Sequence, residues 1–119
     1  MEYQVVNLDR QSVLADRIRL AGTSEARRRG LLGVEELAKE SGVWLSPCEA
    51  IHTFGMKMRI DVFFVGRDLR IRKLCPNLAP RRLSVCLSAA SVIELQAGAI
   101  GRTGSQVGDQ LRFHPSLGH

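Results

Sequence analysis

Cys48 and His52 stand four residues apart, with Asp61 nine residues further on, inside the nineteen residues from Pro47 to Val65. The same stretch holds three of the four Phe and two of the three Met. A thiol and an imidazole at this separation share a side of either a helix or a strand. In a nucleophile pair the imidazole would lower the thiol pKa, with Glu49 or Asp61 orienting the ring. A zinc centre would need further ligands from Cys75, Cys86, Asp61, His114 or His119, none of which stands at a diagnostic spacing. The blander reading makes Cys48 a small buried apolar group and His52 a core ring donating to a backbone carbonyl. That reading is favoured, because a β conformation over residues 50 to 54 separates Cys48 from His52 by roughly 13 Å. Pro47 and Gly55 flank the segment, so neither a bend nor a Cys–His dyad is expected. A third reading makes Trp44, His52, Thr53, Met56 and Asp61 a binding surface. In it, His52 stands at the rim of a pocket bounded by Trp44 and Met56, with one ring nitrogen fixed by backbone. The expectation is therefore a non-catalytic binding or accessory module for a small ligand or protein segment, with no cofactor and no metal. The alternative is a small Cys/His- or metal-dependent enzyme using Cys48 and His52.

The elements that must hold these residues are mostly strands. In Ile60 to Val65 both period-two faces are apolar, the pattern of a central strand covered on two sides. Asp61 at its start then needs donors, backbone amides or an Arg, because an unpaired buried carboxylate is costly. Further strands are expected over Tyr3 to Leu8, Ser12 to Ala21, Leu69 to Leu74, Leu83 to Ala89, Ser91 to Leu95 and Gln110 to Phe113. Thr23 and Ser24 cap a helix that runs to about Arg29 and leaves through Gly30 or Gly33. Arg27, Arg28 and Arg29 fit a solvated helix face with stems on apolar surface. A second helical turn is expected at Glu35 to Glu40, and another near Ala97 to Gly101. Pro76 and Pro80 bound a loop from Asn77 to Arg82. Glu94 within its apolar strand fits an ion pair, and Asp109 after Gly108 fits an amide-capping role; both are placed away from any active site. The sum is a mainly β fold, α+β by strict count: an antiparallel barrel or sandwich of seven to eight short strands with one or two short helices.

The chain has 119 residues and a net charge of +5, with 45% hydrophobic and 24% charged residues. That length suits one domain, residues 1–119, with a core that needs no disulfide or metal. No apolar run approaches the roughly 20 residues of a membrane span. The opening residues lack a signal-peptide pattern, which points to the cytoplasm. Three Cys without an export signal point to free thiols, and a Cys75–Cys86 pair is disfavoured. The basic balance favours an acidic partner, yet with 5% aromatic residues and no aromatic ladder among the basic ones, nucleic acid is not expected. Phosphate-cradling Gly loops and hydrolase Ser motifs are absent.

Four blocks, in order, carry a family resemblance: Arg29-Gly30-Leu31-Leu32, the Ile51 to Asp61 run, Val92-Ile93-Glu94-Leu95-Gln96-Ala97-Gly98, and Gly108-Asp109. With their spacers they cover roughly residues 12 to 113, and together they resemble the domain of unknown function 192 family. The resemblance implies a compact, mainly β domain of bacterial and archaeal proteins, and it names a fold more than a function. Many relatives have Pro where Arg59 and Gln96 stand here, and often Phe-Trp-Met in place of Ile51-His52-Thr53. Cys48 and His52 thus mark a narrower branch, onto which no family-wide catalytic residue transfers.

Overall fold

A computed structural model describes residues 1–116; His119, named above among the zinc candidates, lies outside the described residues. Among the described residues the elements are β1 (Glu2–Asn7), β2 (Ser12–Ala21), α1 (Ser24–Arg29), β3 (Ser41–Leu45), β4 (Ala50–His52) and β5 (Ile60–Val65). Then come β6 (Ile71–Leu78), β7 (Leu83–Val85), β8 (Ser91–Gln96), α2 (Ala99–Thr103) and β9 (Leu111–Pro115). The fold is mainly β with short helices, as expected.

Seven strands make one curled sheet in the order β6-β5-β8-β3-β2-β1-β9, while β4 and β7 form a separate two-stranded ribbon. The edge strands of the large sheet return toward one another through an Arg70–Gln110 bridge. Backbone bonds from Ile71 N to Asp109 O at 2.9 Å and from Leu111 N to Leu69 O at 2.8 Å support the closure. Bringing the edges together occupies amide groups that an open sheet would present to other chains. One pair departs from an antiparallel barrel: β2 and β3 run parallel. A parallel pair needs a crossover of about a dozen residues or more, and residues 22 to 40 provide it, with α1 near its start.

Two apolar clusters lie on opposite faces of the sheet. The enclosed one draws on all seven strands, with Leu14, Ile18, Phe63, Ile93 and Leu111 among its members. The outer one lies over β3, β5 and β8 and is covered by the crossover and by the β4–β7 ribbon; it includes Val43, Leu45, Val62, Phe64 and Val92. Strand β5 feeds both, and all six of its residues are buried.

Three local expectations change. Residues 35 to 40 form no helix. So short a segment gains too few hydrogen bonds to offset helix nucleation, and Val34 and Leu37 instead pack onto the outer cluster from irregular chain. Strand β6 continues through Pro76 and Asn77 to Leu78 rather than ending in a loop. Proline is tolerated there because β6 is an edge strand. The third change is at Leu83, where the strand stops at Val85 and pairs with β4 alone.

Candidate ligand-binding site

Pairing of β5 with β6 skips from Ile60–Leu78 to Val62–Cys75, so Pro76 and Asn77 together oppose Asp61 in a β-bulge. The Asn77 amide that the bulge frees donates to Asp61 Oδ1 at 2.8 Å. Its other oxygen, Oδ2, accepts from Ile100 N at 2.7 Å. Ile100 is the second residue of α2, whose N-cap, Gly98, has no side chain to offer. Asp61 therefore caps that helix from a distant strand. Both oxygens are spent on backbone amides, as expected of this residue, and they stand inside the fold.

Thr53 is likewise committed. Its hydroxyl donates to Ala79 O at 2.7 Å and accepts from Arg82 N at 2.8 Å, tying the end of β4 to the segment before β7. Trp44 turns to the enclosed face, where its ring stacks on Phe113 at 4.0 Å and meets Tyr3 edge-on at 5.3 Å. Trp44 and Met56 thus lie on opposite sides of the sheet and bound no common pocket.

His52 and Met56 do line one cavity, of about 300 Å³, set between α1, the β3–β4 connection and β8. Leu31, Leu45, Ile51 and Met56 give it apolar walls, and Arg27, Arg28 and Arg29 of α1 also line it. The helix begins where expected, with the Thr23 hydroxyl accepting from Ala26 N at 3.1 Å, and ends at Gly30. Arg27 is tied down by donating to Gly22 O at 2.7 Å and Ser24 Oγ at 3.4 Å. Arg28 and Arg29 are exposed and, among the described residues, make no side-chain hydrogen bond or ion pair.

The residue that sequence reasoning placed elsewhere is Glu94, which also lines this cavity. It is 4% exposed, and its Oε1 is fully buried without a hydrogen-bond partner among the described residues. The ion pair expected for it does not form, because its cross-strand neighbours are Val43 on β3 and Val62 on β5. Burial pushes its carboxyl up to about 7. Gly30 leaves room beside it: a side-chain carbon at that position would lie 3.2 Å from Glu94 Oε1, on a backbone with φ of 45°. One signal in the sequence pointed here. A carboxylate in the middle of Ser91-Val92-Ile93-Glu94-Leu95 raises the same question of donors as Asp61 does.

Cys48 lies in a bent segment, not the extended one expected, since bends occur at Ser46, Pro47 and Glu49. Its thiol donates to Ala50 O at 3.1 Å. Burial raises its pKa, and the Ala50 contact only partly opposes that. Cys48 and His52 share the cavity, yet no hydrogen bond joins them among the described residues. The His52 ring lies 5.8 Å from that of Phe54 and, among the described residues, makes no side-chain hydrogen bond to backbone. All three cysteines are free, and among the described residues no three His, Cys, Asp or Glu side chains converge as metal ligands. His114 sits exposed on β9. A wider depression beside Pro47 and Arg72, of about 720 Å³, also touches Cys48 but has no buried unpaired polar atom on its walls. Asp109 keeps its expected role, accepting from Gln106 N at 2.8 Å and pairing with Arg10 at 3.0 Å, away from the cavity.

A family model described as "Uncharacterized ACR", the domain of unknown function 192, matches residues 5–113. A protein of unknown function from Novosphingobium aromaticivorans DSM 12444 has a similar crystal structure, with a TM-score of 0.81 at 24% identity. That alignment covers 94% of this chain and 84% of the other. A Sinorhizobium meliloti 1021 protein, whose name proposes a transcription-regulator role, aligns with a TM-score of 0.82 at 22% identity, over 94% of this chain and 92% of its own. These likenesses establish a shared fold. A comparison with curated proteins finds no match.

Proposed function

We infer that this chain, which belongs to the domain of unknown function 192 family, is a binding module whose site is the cavity between α1, the β3–β4 connection and β8. One observation carries the reading: Glu94, whose carboxylate has a buried oxygen with no partner among the described residues, lines a cavity large enough for a small molecule. Native proteins pair nearly all buried polar atoms, and those left over mark strain or a partner yet to arrive. A concave, mostly apolar site with few polar groups is the usual form of a small-ligand pocket, and about 300 Å³ lies at the small end of that class. Against a thiol nucleophile weigh the raised Cys48 pKa, the thiol's commitment to Ala50 O and the missing bond to His52. The transcription-regulator name of the Sinorhizobium protein is not carried over, since the likeness is one of fold.

Fragment binding followed by NMR, with Met methyl groups labelled, tests the reading. Compounds that enter the cavity are expected to shift the Met56 methyl and His52 ring signals together. For those carrying a hydrogen-bond donor, Glu94→Gln should weaken binding by about tenfold, the loss of roughly one charge-assisted hydrogen bond. Hits that map only to other surfaces would contradict it.

A further inference from the structure

Resting on the binding reading and narrowing it, we propose that the cavity takes a small zwitterion, its ammonium group seated on Glu94 and its oxyanion held by Arg28 and Arg29. Three features of the cavity select that class. Glu94 is flanked by valines on both neighbouring strands and has no donor at Oε1. A neutral N–H or O–H would satisfy the oxygen, but only a cation also compensates a carboxylate taken out of water. An ammonium carries three donors on a compact charge.

The wall that α1 contributes is basic. Arg27 is engaged with its own helix start, whereas Arg28 and Arg29 keep their guanidinium donors free of protein partners among the described residues. A ligand carrying only positive charge would have to rest beside three guanidinium groups, which repel it. One that also bears a carboxylate or phosphate turns that repulsion into a bidentate contact. Leu31, Leu45, Ile51 and Met56 also line the cavity, which suits a short alkyl spacer. Cys48 and His52, from the two ends of the β3–β4 connection, are the remaining titratable groups on the wall. With α1 supplying the arginines and β8 the carboxylate, no element packed against Glu94 brings a second acid into the cavity.

Calorimetric titration at about pH 8, above the raised pKa of Glu94, provides the test. The probes are β-alanine, γ-aminobutyrate, ε-aminocaproate and phosphoethanolamine, with butyrate and butylamine as single-charge controls. At least one zwitterion is expected to bind about tenfold or more tightly than either control. Glu94→Gln, and separately the Arg28→Ala/Arg29→Ala double variant, should each remove about tenfold or more of that affinity. Both arginines are exposed, so the double variant should fold, and melting curves confirm it for each. Butyrate or butylamine binding as tightly as the best zwitterion, or an unchanged affinity in Glu94→Gln, overturns the proposal. If no zwitterion binds while fragments still shift the Met56 and His52 signals, the zwitterion class is wrong and the binding reading stands. If fragments shift neither signal, the binding reading falls and takes this inference with it.

Discussion

Two acidic side chains in buried strands meet opposite fates, and the difference lies in who their neighbours are. Asp61 faces a bulge and a helix start, and backbone amides take both of its oxygens. Glu94 faces valines, and Oε1 takes nothing. Removing a hydrogen-bonded buried carboxylate costs on the order of 1 to 3 kcal/mol. Asp61→Ala, which uncaps α2 and orphans the Asn77 amide, should lower the unfolding free energy read from urea titration by an amount in that range. Glu94 behaves in the opposite sense. Its folded pKa is raised from 4.5 to about 7, so between those values the native state holds a proton that the unfolded chain has released, and stability falls as pH rises through the window. The full shift is worth about 3 kcal/mol. Glu94→Gln should therefore melt close to the native protein at about pH 4 and be stabilised by up to about 3 kcal/mol at pH 8; calorimetric melts at the two pH values check it. Cys48 gives a further outcome at this scale. Burial raises its pKa, so iodoacetamide labelling at that residue, followed by peptide mass spectrometry, should be slow at neutral pH and accelerate only above the ordinary thiol range near 9.

At the scale of elements, periodicity was legible where a strand is buried on both faces, where it alternates apolar and charged residues, or where a cap is local. Ile60–Val65 and Ser12–Ala21 come out as expected, and so does the helix from Ser24 to Arg29, because period, Thr23 and Gly30 all act within a few residues. Elements whose form depends on partners were not legible. Pro76 sits inside β6 only because that strand is an edge, which depends on the order of strands in the sheet. Trp44 faces Phe113, distant in sequence, and that contact takes it out of the candidate site. Cys48 and His52 both line the cavity, but the carboxylate on its wall comes from β8 and the guanidinium groups from α1. No local spacing links those blocks. Strands β3 and β8 approach so closely that a side-chain carbon at Gly42 would collide with the Glu94 carbonyl oxygen and the Leu95 side chain. Gly42→Ala must push the strands apart, and a loss of about 1 to 3 kcal/mol in denaturant unfolding is expected.

The whole molecule pairs a nearly closed sheet with a cavity on its outer face, and its pH dependence should show both parts. Burial alone would raise the Asp109 carboxyl, but hydrogen bonds from Arg10, Asn7 and the Gln106 amide outweigh it and hold the pKa below the ordinary value. Its contribution is present above the unfolded carboxyl range and is lost as pH falls through the lowered value. Glu94 subtracts stability as pH rises from 4.5 toward about 7. The melting temperature is therefore expected to peak at about pH 4 to 4.5, with the decline on the alkaline side abolished by Glu94→Gln and the decline on the acid side retained.

Whether Glu94 is a buried, unpartnered acid on the wall of a ligand cavity can be read directly from its own titration. In protein labelled with ¹³C at the glutamate side-chain carboxyl, with Glu94→Gln identifying the signal, the account predicts a midpoint of about 7 in the free protein. It further predicts a downward shift once an ammonium-bearing ligand fills the cavity. A midpoint near the ordinary 4.5 in the free protein, unmoved by any such ligand, would contradict it.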